Sequence, residues 1–268
     1  MLHLNGIRYL GSAEQTYPFN LPLWRNLSEV TFASPLTFFV GENGSGKSTL
    51  LEGIAALVDL PAIGGQPLRQ DASLQSARLL ARRFRPIWTK KVQRGFFLRA
   101  EDFFGFIRSM ESMRRDLQKE LQEAEQNARN RSASEYAINQ ARTPWASQLA
   151  ELQGRYGSDL DAASHGESFL QLLQARVVPE GLYLLDEPES ALSPMRQLAL
   201  IFFLHQAMQE LQCQFIIATH SPILLAFPQA ELLHFSSEGL KAVAYDDLEH
   251  VRFTRDFLHN PEAFLRFL

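Results

Sequence analysis

A run of nine residues, GENGSGKST, combines three glycines with a lysine and two adjacent hydroxyl residues. Glycines let a backbone turn tightly and approach a phosphate, while successive N–H groups and the start of a following helix supply positive potential. In such a loop Lys47 reaches the β and γ phosphates, and the Ser48 hydroxyl binds Mg²⁺. The run therefore predicts a phosphate site formed by Gly41, Glu42, Asn43, Gly44, Ser45, Gly46, Lys47, Ser48 and Thr49.

Two carboxylates, Asp186 and Glu187, directly follow the apolar run Leu182 to Leu185. A buried strand here would bring Asp186 to the carboxyl edge of a sheet, where it can hold Mg²⁺ directly or through water. Glu187, next in the chain, is then placed to orient or deprotonate an attacking water. The simpler alternative is a strand that ends in solvent-exposed acids.

A histidine and a serine are further candidates for contact with a phosphate. His220 follows the apolar run Phe215 to Ala218, so it belongs at the same edge, where an imidazole can donate a hydrogen bond to a γ-phosphate and polarise water. Ser164 precedes a predicted apolar helix and has two interpretations. It could cap the helix together with Glu167, or it could present its hydroxyl, with the Gly166 N–H, to a γ-phosphate.

The elements that must position these residues follow from hydrophobic patterning. Apolar runs separated by amphipathic segments predict strands alternating with helices, and hence an α/β fold with a mainly parallel sheet whose ligands lie at the carboxyl ends of its strands. Loose alternation before residue 36 predicts an N-terminal antiparallel β layer with an extended segment at 17–22, and charged helix formers from 103 to 156 predict a helical insertion. The predicted strands are 36–40, 95–100, 182–185, 215–219 and 232–235, and the predicted helices include 50–60 and 194–212.

The composition is that of a globular protein rather than of a disordered one. With 268 residues, 46% of them hydrophobic, and a net charge of −4, the chain is that of an ordinary globular protein, with no general electrostatic case for binding nucleic acid. Charge is nevertheless uneven, because residues 78–131 hold 14 of the 26 Lys and Arg but 7 Asp and Glu. This stretch is either a surface for nucleic acid or an acidic partner, or a solvated face with paired charges.

The sequence also predicts a cytoplasmic location. Cys213 is the only cysteine, which excludes an intramolecular disulfide and suits a reducing compartment. The first residues lack the basic segment and apolar core of a signal peptide, and no run of eighteen apolar residues is present. We therefore expect no membrane segment in the chain itself.

The order of these motifs resembles that of the ATP-binding-cassette (ABC) ATPases. GENGSGKST, SHGES, LYLLDEP, SALS and ATHSP occur in the order and at the spacings of that family. The resemblance implies a P-loop NTPase of ABC type, a single domain over 1–268 made of a first half (1–102), a helical insertion (103–163) and a second half (164–268). Within the family the sequence looks most similar to soluble ATPases related to RecF, Rad50 and SMC heads.

The resemblance further implies ATP and Mg²⁺ as cofactors, catalytic roles for Lys47, Glu187 and His220, and a head-to-tail homodimer. Ser164 and Gly166 of one subunit would close over ATP held by the loop of the other. Two departures bear on this: the usual LSGGQ signature is here ASHGE, and Ser193 stands where the family commonly has Asp.

Two further binding residues are expected from the resemblance. Tyr17 lies at a plausible distance before the loop to stack on adenine, although a tyrosine in a β layer can equally be structural. For the family's glutamine loop the sequence offers Gln93 before the strand at 95–100 or Glu101 after it, and we favour Glu101 as a metal or water ligand.

Three functions remain open at this stage. The first is a soluble Mg²⁺-dependent ATPase whose dimerisation acts on a macromolecular partner in nucleic-acid maintenance or defence, with the basic helical insertion as a candidate contact for protein or nucleic acid. The second is the ATP-binding subunit of a membrane transporter. The third is a module that assembles on ATP with little turnover.

Overall fold

The protein is described by a computed structural model over residues 1–14, 16–25, 27–63, 75–156, 165–236 and 238–266. Its elements alternate as the sequence predicts. The strands are β1 (Leu4–Tyr9), β2 (Glu29–Thr31), β3 (Leu36–Gly41), β4 (Phe84–Trp88), β5 (Gly95–Arg99), β6 (Leu182–Asp186), β7 (Gln214–Ala218), β8 (Glu231–Ser236) and β9 (Gly239–Ala242). The helices are α1 (Lys47–Leu57), α2 (Gln75–Ala81), α3 (Ala100–Asn130), α4 (Glu135–Tyr156), α5 (His165–Arg176), α6 (Pro194–Glu210), α7 (Pro222–Leu225), α8 (Glu249–His259) and α9 (Pro261–Leu265).

The chain divides into two compact units, one formed by Met1–Ala100 with Val177–Leu268 and the other by Glu101–Arg176. Within the described part of the first unit, six strands form a sheet in the order β5-β6-β7-β3-β8-β9. All neighbouring pairs are parallel except β8 with β9. The mainly parallel sheet is therefore confirmed. Every residue of β3, β6 and β7 is buried, as expected for central strands covered on both faces.

A second, antiparallel sheet of order β2-β1-β4 confirms the predicted N-terminal β layer. Apolar side chains of this layer, of α1 and of one face of the large sheet share one core, which includes Leu4, Ile7, Phe39, Leu50, Ile54, Phe84, Leu184 and Ile216. The prediction of an extended segment at 17–22 is wrong. The chain turns there, with the Phe19 N–H donating to the Thr16 carbonyl at 2.8 Å, so that Phe19 enters the core, and a 3-10 helix, Pro22–Arg25, follows.

The helical insertion is confirmed as such, but the second unit extends past the predicted bounds of 103–163, since its described part contains α3, α4 and α5. Arg142 Nε of α4 lies 3.4 Å from Glu125 Oε2 of α3, and the rings of Phe103 and Phe169 meet edge to face at 5.0 Å. The insertion is not basic, however. Helix α3 carries five Lys and Arg against seven Asp and Glu.

The excess of basic residues counted over 78–131 comes instead from the first unit. Residues 78–99, in α2, β4, β5 and their connections, hold eight Lys and Arg and no acid. Several are paired, including Arg83 with Glu14 at 3.1 Å and Lys90 with Glu180 at 2.6 Å. The surface that the sequence assigned to the insertion therefore belongs to the β layer and the edge of the large sheet.

No helix within the described ranges has the length and apolar character needed to cross a membrane.

One buried amide joins the antiparallel layer to the large sheet. Gln214, at the start of β7, is fully buried. Its Oε1 accepts the N–H groups of His3 and Leu4 at 2.9 and 2.8 Å, and its Nε2 donates to the Leu4 carbonyl at 2.9 Å. At Leu4 strand β1 has a partner in β4 but none in β2, and the Gln214 side chain satisfies backbone groups that would otherwise be buried without partners.

Replacement of Gln214 by Leu removes three hydrogen bonds and leaves those backbone groups unpaired, so we expect the free energy of unfolding to fall by about 3 kcal/mol. Chemical denaturation measures the loss. The matched control is Gln209→Leu, at an exposed position of α6, which should change stability by less than about 0.5 kcal/mol. Equal denaturation midpoints for the two variants would show that Gln214 does not hold the layer in place.

Candidate nucleotide site

The glycine-rich loop connects the end of β3 to the start of α1. Gly41 pairs with Phe235 of β8 and has φ of 151°, and a Cβ atom at this position would lie 2.6 Å from the Phe235 carbonyl oxygen. Gly46 caps α1 in the left-handed conformation, with φ of 101°, and its carbonyl accepts the Leu50 N–H at 2.9 Å. These two positions require glycine, and they fix the strand–loop–helix geometry that the sequence predicts.

Lys47 is the first residue of α1, and its side chain is buried, with 5% exposure. Its Nζ donates to the carbonyls of Gly41 and Glu42, both at 2.9 Å. Burial lowers the pKa of Lys47, and the charges of Glu187 and Asp186 partly oppose that shift. An anion in the loop would offer this ammonium a further partner, as expected of a phosphate-binding lysine.

Ser48 and Asp186 meet although 138 residues separate them in the chain. The Ser48 hydroxyl donates to Asp186 Oδ1 at 3.0 Å. Strand β6 brings Asp186 to the carboxyl edge, where it pairs in register with Ala218 of β7 and Arg99 of β5. Two of the three side chains predicted to hold a metal, Ser48 and Asp186, are therefore in contact.

The environment of Asp186 fits a divalent cation. The side chain is 8% exposed, and burial raises its pKa to about 7, a shift that the Ser48 hydrogen bond reduces and the nearby charges of Glu187 and Glu52 increase. A hydroxyl and a carboxylate are ligands that Mg²⁺ prefers, and Mg²⁺ usually takes one or two protein ligands beside water and phosphate oxygens. The residues present therefore fit this ion, and the described part of the chain offers no larger cluster of His, Cys, Asp and Glu for a metal.

Glu187 adopts an unusual backbone conformation. It has φ of 48° and ψ of 49°, and its N–H donates to the Ala218 carbonyl of β7 at 2.9 Å. A left-handed conformation is uncommon outside glycine, and such residues concentrate at functional sites. The side chain is 45% exposed, beside the buried Asp186. The sharp turn of the chain at the end of β6 thus separates two adjacent acids into one buried and one accessible group.

His220 follows β7 at the same edge. Its Nε2 lies 3.9 Å from Glu187 Oε1, is buried, and has no hydrogen-bond partner among the described residues. Burial, and then the charge of Lys47, lower the pKa of His220, while Glu187 opposes the shift. A neutral imidazole near pH 7 can accept or donate one hydrogen bond at this nitrogen, depending on its tautomer.

Two positioning contacts were not found from the sequence. Glu189 accepts the His220 N–H on Oε1 at 2.7 Å, and its pKa is raised by burial. The Ser221 hydroxyl is hydrogen bonded to Gln197 of α6, and it also caps α7 by accepting the N–H groups of Ile223 and Leu224. The signal for Glu189 was its place in the acidic run DEPE, whereas Gln197 carried none.

Tyr17, the residue predicted to stack on adenine, lies beside the loop. Its hydroxyl is within hydrogen-bonding distance of Thr49 Oγ1, at 3.1 Å, and its side chain is 54% exposed. An exposed ring next to the phosphate loop offers a face on which a purine can stack.

The remaining candidates are not gathered at this site by the described contacts. Glu101 lies in the first turn of α3, two residues after β5 and in the second unit, and Gln93 is exposed before β5. Ser164 lies outside the described residues, and Gly166 is the second residue of α5. Ser193 caps α6, accepting the Arg196 N–H at 3.4 Å.

Two family models match the chain. One, described as "AAA domain", covers residues 2–62, and the other, described as "AAA domain, putative AbiEii toxin, Type IV TA system", covers residues 81–226, more than half of the chain. Comparison with curated proteins gives no match.

The chain also matches solved structures, at low sequence identity and with TM-scores below 0.5. They include the Smc head domain with an extended coiled coil bound to the C-terminal domain of ScpA, from Pyrococcus furiosus (13% identity, TM-score 0.47, covering 97% of this chain and 99% of that one). They also include cbiO1 from Clostridium perfringens, part of the ABC transporter complex cbiONQ (16% identity, TM-score 0.46, covering 100% of both chains).

The raised pKa of Asp186 makes stability depend on pH in the absence of metal. Because the folded pKa, about 7, exceeds the ordinary value of 3.8, folding favours the protonated acid. Relative to Asp186→Asn, the stability of the native protein is greatest below pH 3.8 and is lost as the pH rises through 7, by as much as about 4 kcal/mol. Thermal unfolding in EDTA between pH 4 and 8 measures this difference.

The control for this prediction is Asp256→Asn, an exposed position of α8, whose stability should follow the native protein at every pH. A constant difference between the native protein and Asp186→Asn over the whole pH range would mean that Asp186 is ionised normally in the fold.

Proposed function

Since this chain belongs to the AAA-domain family, we propose that it is a P-loop ATPase of ABC type, a Mg²⁺-dependent ATP hydrolase that works as a head-to-tail dimer. The observation that carries the proposal is the hydrogen bond between Ser48 and Asp186, 3.0 Å long. It joins the start of the loop helix to the end of the acidic strand, and so supports a single site for the residues proposed to bind phosphate and to activate water.

In the proposed mechanism the loop N–H groups and Lys47 bind the β and γ phosphates, and Tyr17 stacks on the base. Ser48 and Asp186 hold Mg²⁺, which when bound neutralises charge on the phosphate oxygens. The carboxylate of Glu187 orients a water molecule and accepts its proton as the water oxygen bonds to the γ phosphorus. The bond from that phosphorus to the β–γ bridging oxygen breaks, and ADP leaves.

His220 has a supporting role in this step. With Nε2 as the protonated nitrogen it donates to a γ-phosphate oxygen, and Glu189 holds its backbone in place through the 2.7 Å hydrogen bond. Burial and Lys47 lower the pKa of His220, so the free site holds it neutral near pH 7. The side chain therefore does not compete with Lys47 as a second fixed cation before ATP binds.

The dimer is proposed from the ABC resemblance. Ser164 and Gly166, the latter being the second residue of α5, would close over the γ-phosphate held by the partner copy. A single chain then has the loop, the metal ligands and the base, but lacks the groups that complete the site. Dimerisation on ATP, and separation after hydrolysis, would form the working cycle.

We also propose that this cycle acts on a macromolecular partner in the cytoplasm, in nucleic-acid maintenance or defence. The family description names a toxin of a toxin–antitoxin system, which is consistent with a defence role. The contact surface we favour for an acidic partner or nucleic acid is the basic stretch 78–99 of the first unit rather than the helical insertion. Purification of the Glu187→Gln form with ATP, followed by identification of bound protein and nucleic acid, addresses the partner.

Glu187→Gln removes the proton acceptor but preserves shape and hydrogen bonding. We expect turnover to fall by about 100-fold or more, with ATP binding retained and an ATP-bound dimer accumulating. Phosphate release and sedimentation velocity measure the two effects. Glu262→Gln, at an exposed position of α9, is the control and should behave as the native protein. Unchanged turnover in Glu187→Gln would remove this residue from the mechanism.

The shared site predicts complementation between inactive variants. Lys47→Ala and Ser164→Ala should each be inactive alone, but a mixed dimer has one site with both residues intact. An equimolar mixture should recover about a quarter of native activity, since random pairing gives half mixed dimers with one complete site of two. Steady-state ATPase rates measure the recovery.

The control mixture combines Lys47→Ala with Glu187→Gln. Both residues act in the same copy's half of a site, so each site of the mixed dimer has one defect and no recovery should occur. Failure of the Lys47→Ala and Ser164→Ala mixture to recover activity would contradict the head-to-tail arrangement.

A further inference from the structure

Helix α8 begins close to the carboxyl end of β7, which His220 follows by two residues. Its second residue is His250, which lies between Leu248 and Val251, 3% and 2% exposed. Just before the helix, the Tyr245 hydroxyl donates to the Pro222 carbonyl at 3.0 Å. Since Pro222 begins α7 two residues after His220, this contact brings the start of α8 to the carboxyl edge of the sheet.

His250 lies among other bases. Burial lowers its pKa, and the charges of His220, His234 and Lys47 lower it further. His234 is placed by register, because it pairs with Val40 of β3, the residue before the phosphate loop. Within the described residues the side chains whose charges shift this pKa are therefore all bases, which favours an anion over a cation near His250.

The Nε2 atom of His250 is buried and has no hydrogen-bond partner among the described residues, and the same holds for Nε2 of His220. A buried ring nitrogen without a partner costs free energy, and such groups in native proteins call for an explanation. The start of α8 adds positive potential, since Leu248 at the N-cap provides no side-chain cap. Nε2 of His220 and Nε2 of His250 thus both lack a partner among the described residues, and each of them, when protonated, can donate to a phosphate oxygen.

We propose that His250 binds the terminal phosphate of ATP together with His220, which makes α8 part of the nucleotide site. The inference rests on the proposed function, because the anion is the phosphate end of a nucleotide held by the loop. It adds a ligand from the last part of the chain, at a position outside every motif of the sequence. The ring would donate from Nε2 to a phosphate oxygen, and this contact would couple the position of α8 to the presence of the third phosphate.

The test uses three replacements of His250 and two nucleotides. Gln places its amide near the Nε2 position, Asn places it near Nδ1, and Ala provides no donor. Affinities for the β,γ-imido analogue of ATP and for ADP, both with Mg²⁺, are measured by calorimetry on the full chain. We expect the ATP analogue to bind about tenfold more weakly to the Ala and Asn forms, and within about threefold of native to the Gln form, while ADP affinity stays unchanged, since one charge-assisted hydrogen bond is lost.

His259→Ala is the matched control, because it removes an exposed imidazole from the other end of α8 and should bind both nucleotides as the native protein does. Equal affinity of the native and His250→Ala proteins for the ATP analogue would overturn the role of His250 and leave the proposed ATPase intact. Equal losses for ATP analogue and ADP would overturn the assignment to the terminal phosphate. Native protein that binds neither nucleotide would overturn the proposed function and this inference together. If the Ala form does not fold, the comparison of Gln with Asn still decides.

Discussion

The hydrogen bond from Ser48 to Asp186 is the contact on which the rest of the site depends. It exists because two central strands, β3 and β6, run parallel on either side of β7 and end at the same edge. One strand leads into the glycine-rich loop and α1, and the other into the acidic pair. Sheet register therefore brings together residues that lie 138 positions apart in the chain. Any change that shifted this register would separate the phosphate loop from its acids.

Much of the fold could be predicted because the central strands are buried on both faces. Such strands appear in the sequence as short apolar runs, and β3, β6 and β7 were predicted within one residue at each end. Strand β4 and the turn after Thr16 were not found. The sequence of β4, FRPIW, mixes charge, proline and apolar residues without a clear period, and its pairing with β1 is a long-range contact. Near Thr16, burial of Phe19 in the core overrides the extended preference of its two neighbouring prolines.

Only the site residues that lie in recognisable sequence motifs were predicted. The loop, Asp186, Glu187 and His220 have recognisable sequence contexts, and the structure brings them to one edge. Glu189 lies in the acidic run DEPE, but its part in positioning His220 comes from a hydrogen bond that the sequence does not predict, and His250 lies outside every motif. Basic character was also assigned to the wrong element, because a count over 78–131 averaged a basic stretch of the first unit with an acidic helix of the second. A count of charged residues along the sequence does not show which of them belong to different structural units.

The ionisable side chains at this edge form two groups, acids and bases, and burial shifts the pKa values in both. Asp186 and Glu189 are acids whose pKa values are raised by burial, while Lys47 and His220 are bases whose pKa values are lowered by it. Burial thus pushes every one of these groups toward its neutral form. A cation beside the acids and an anion beside the bases would restore the charged forms of both groups at once, whereas either ion alone would correct half of the imbalance. These pKa shifts are what the proposed ligands, a divalent cation and a polyphosphate, would offset, and Ser48, which is hydrogen bonded to Asp186 and follows Lys47 in the chain, lies between the two groups.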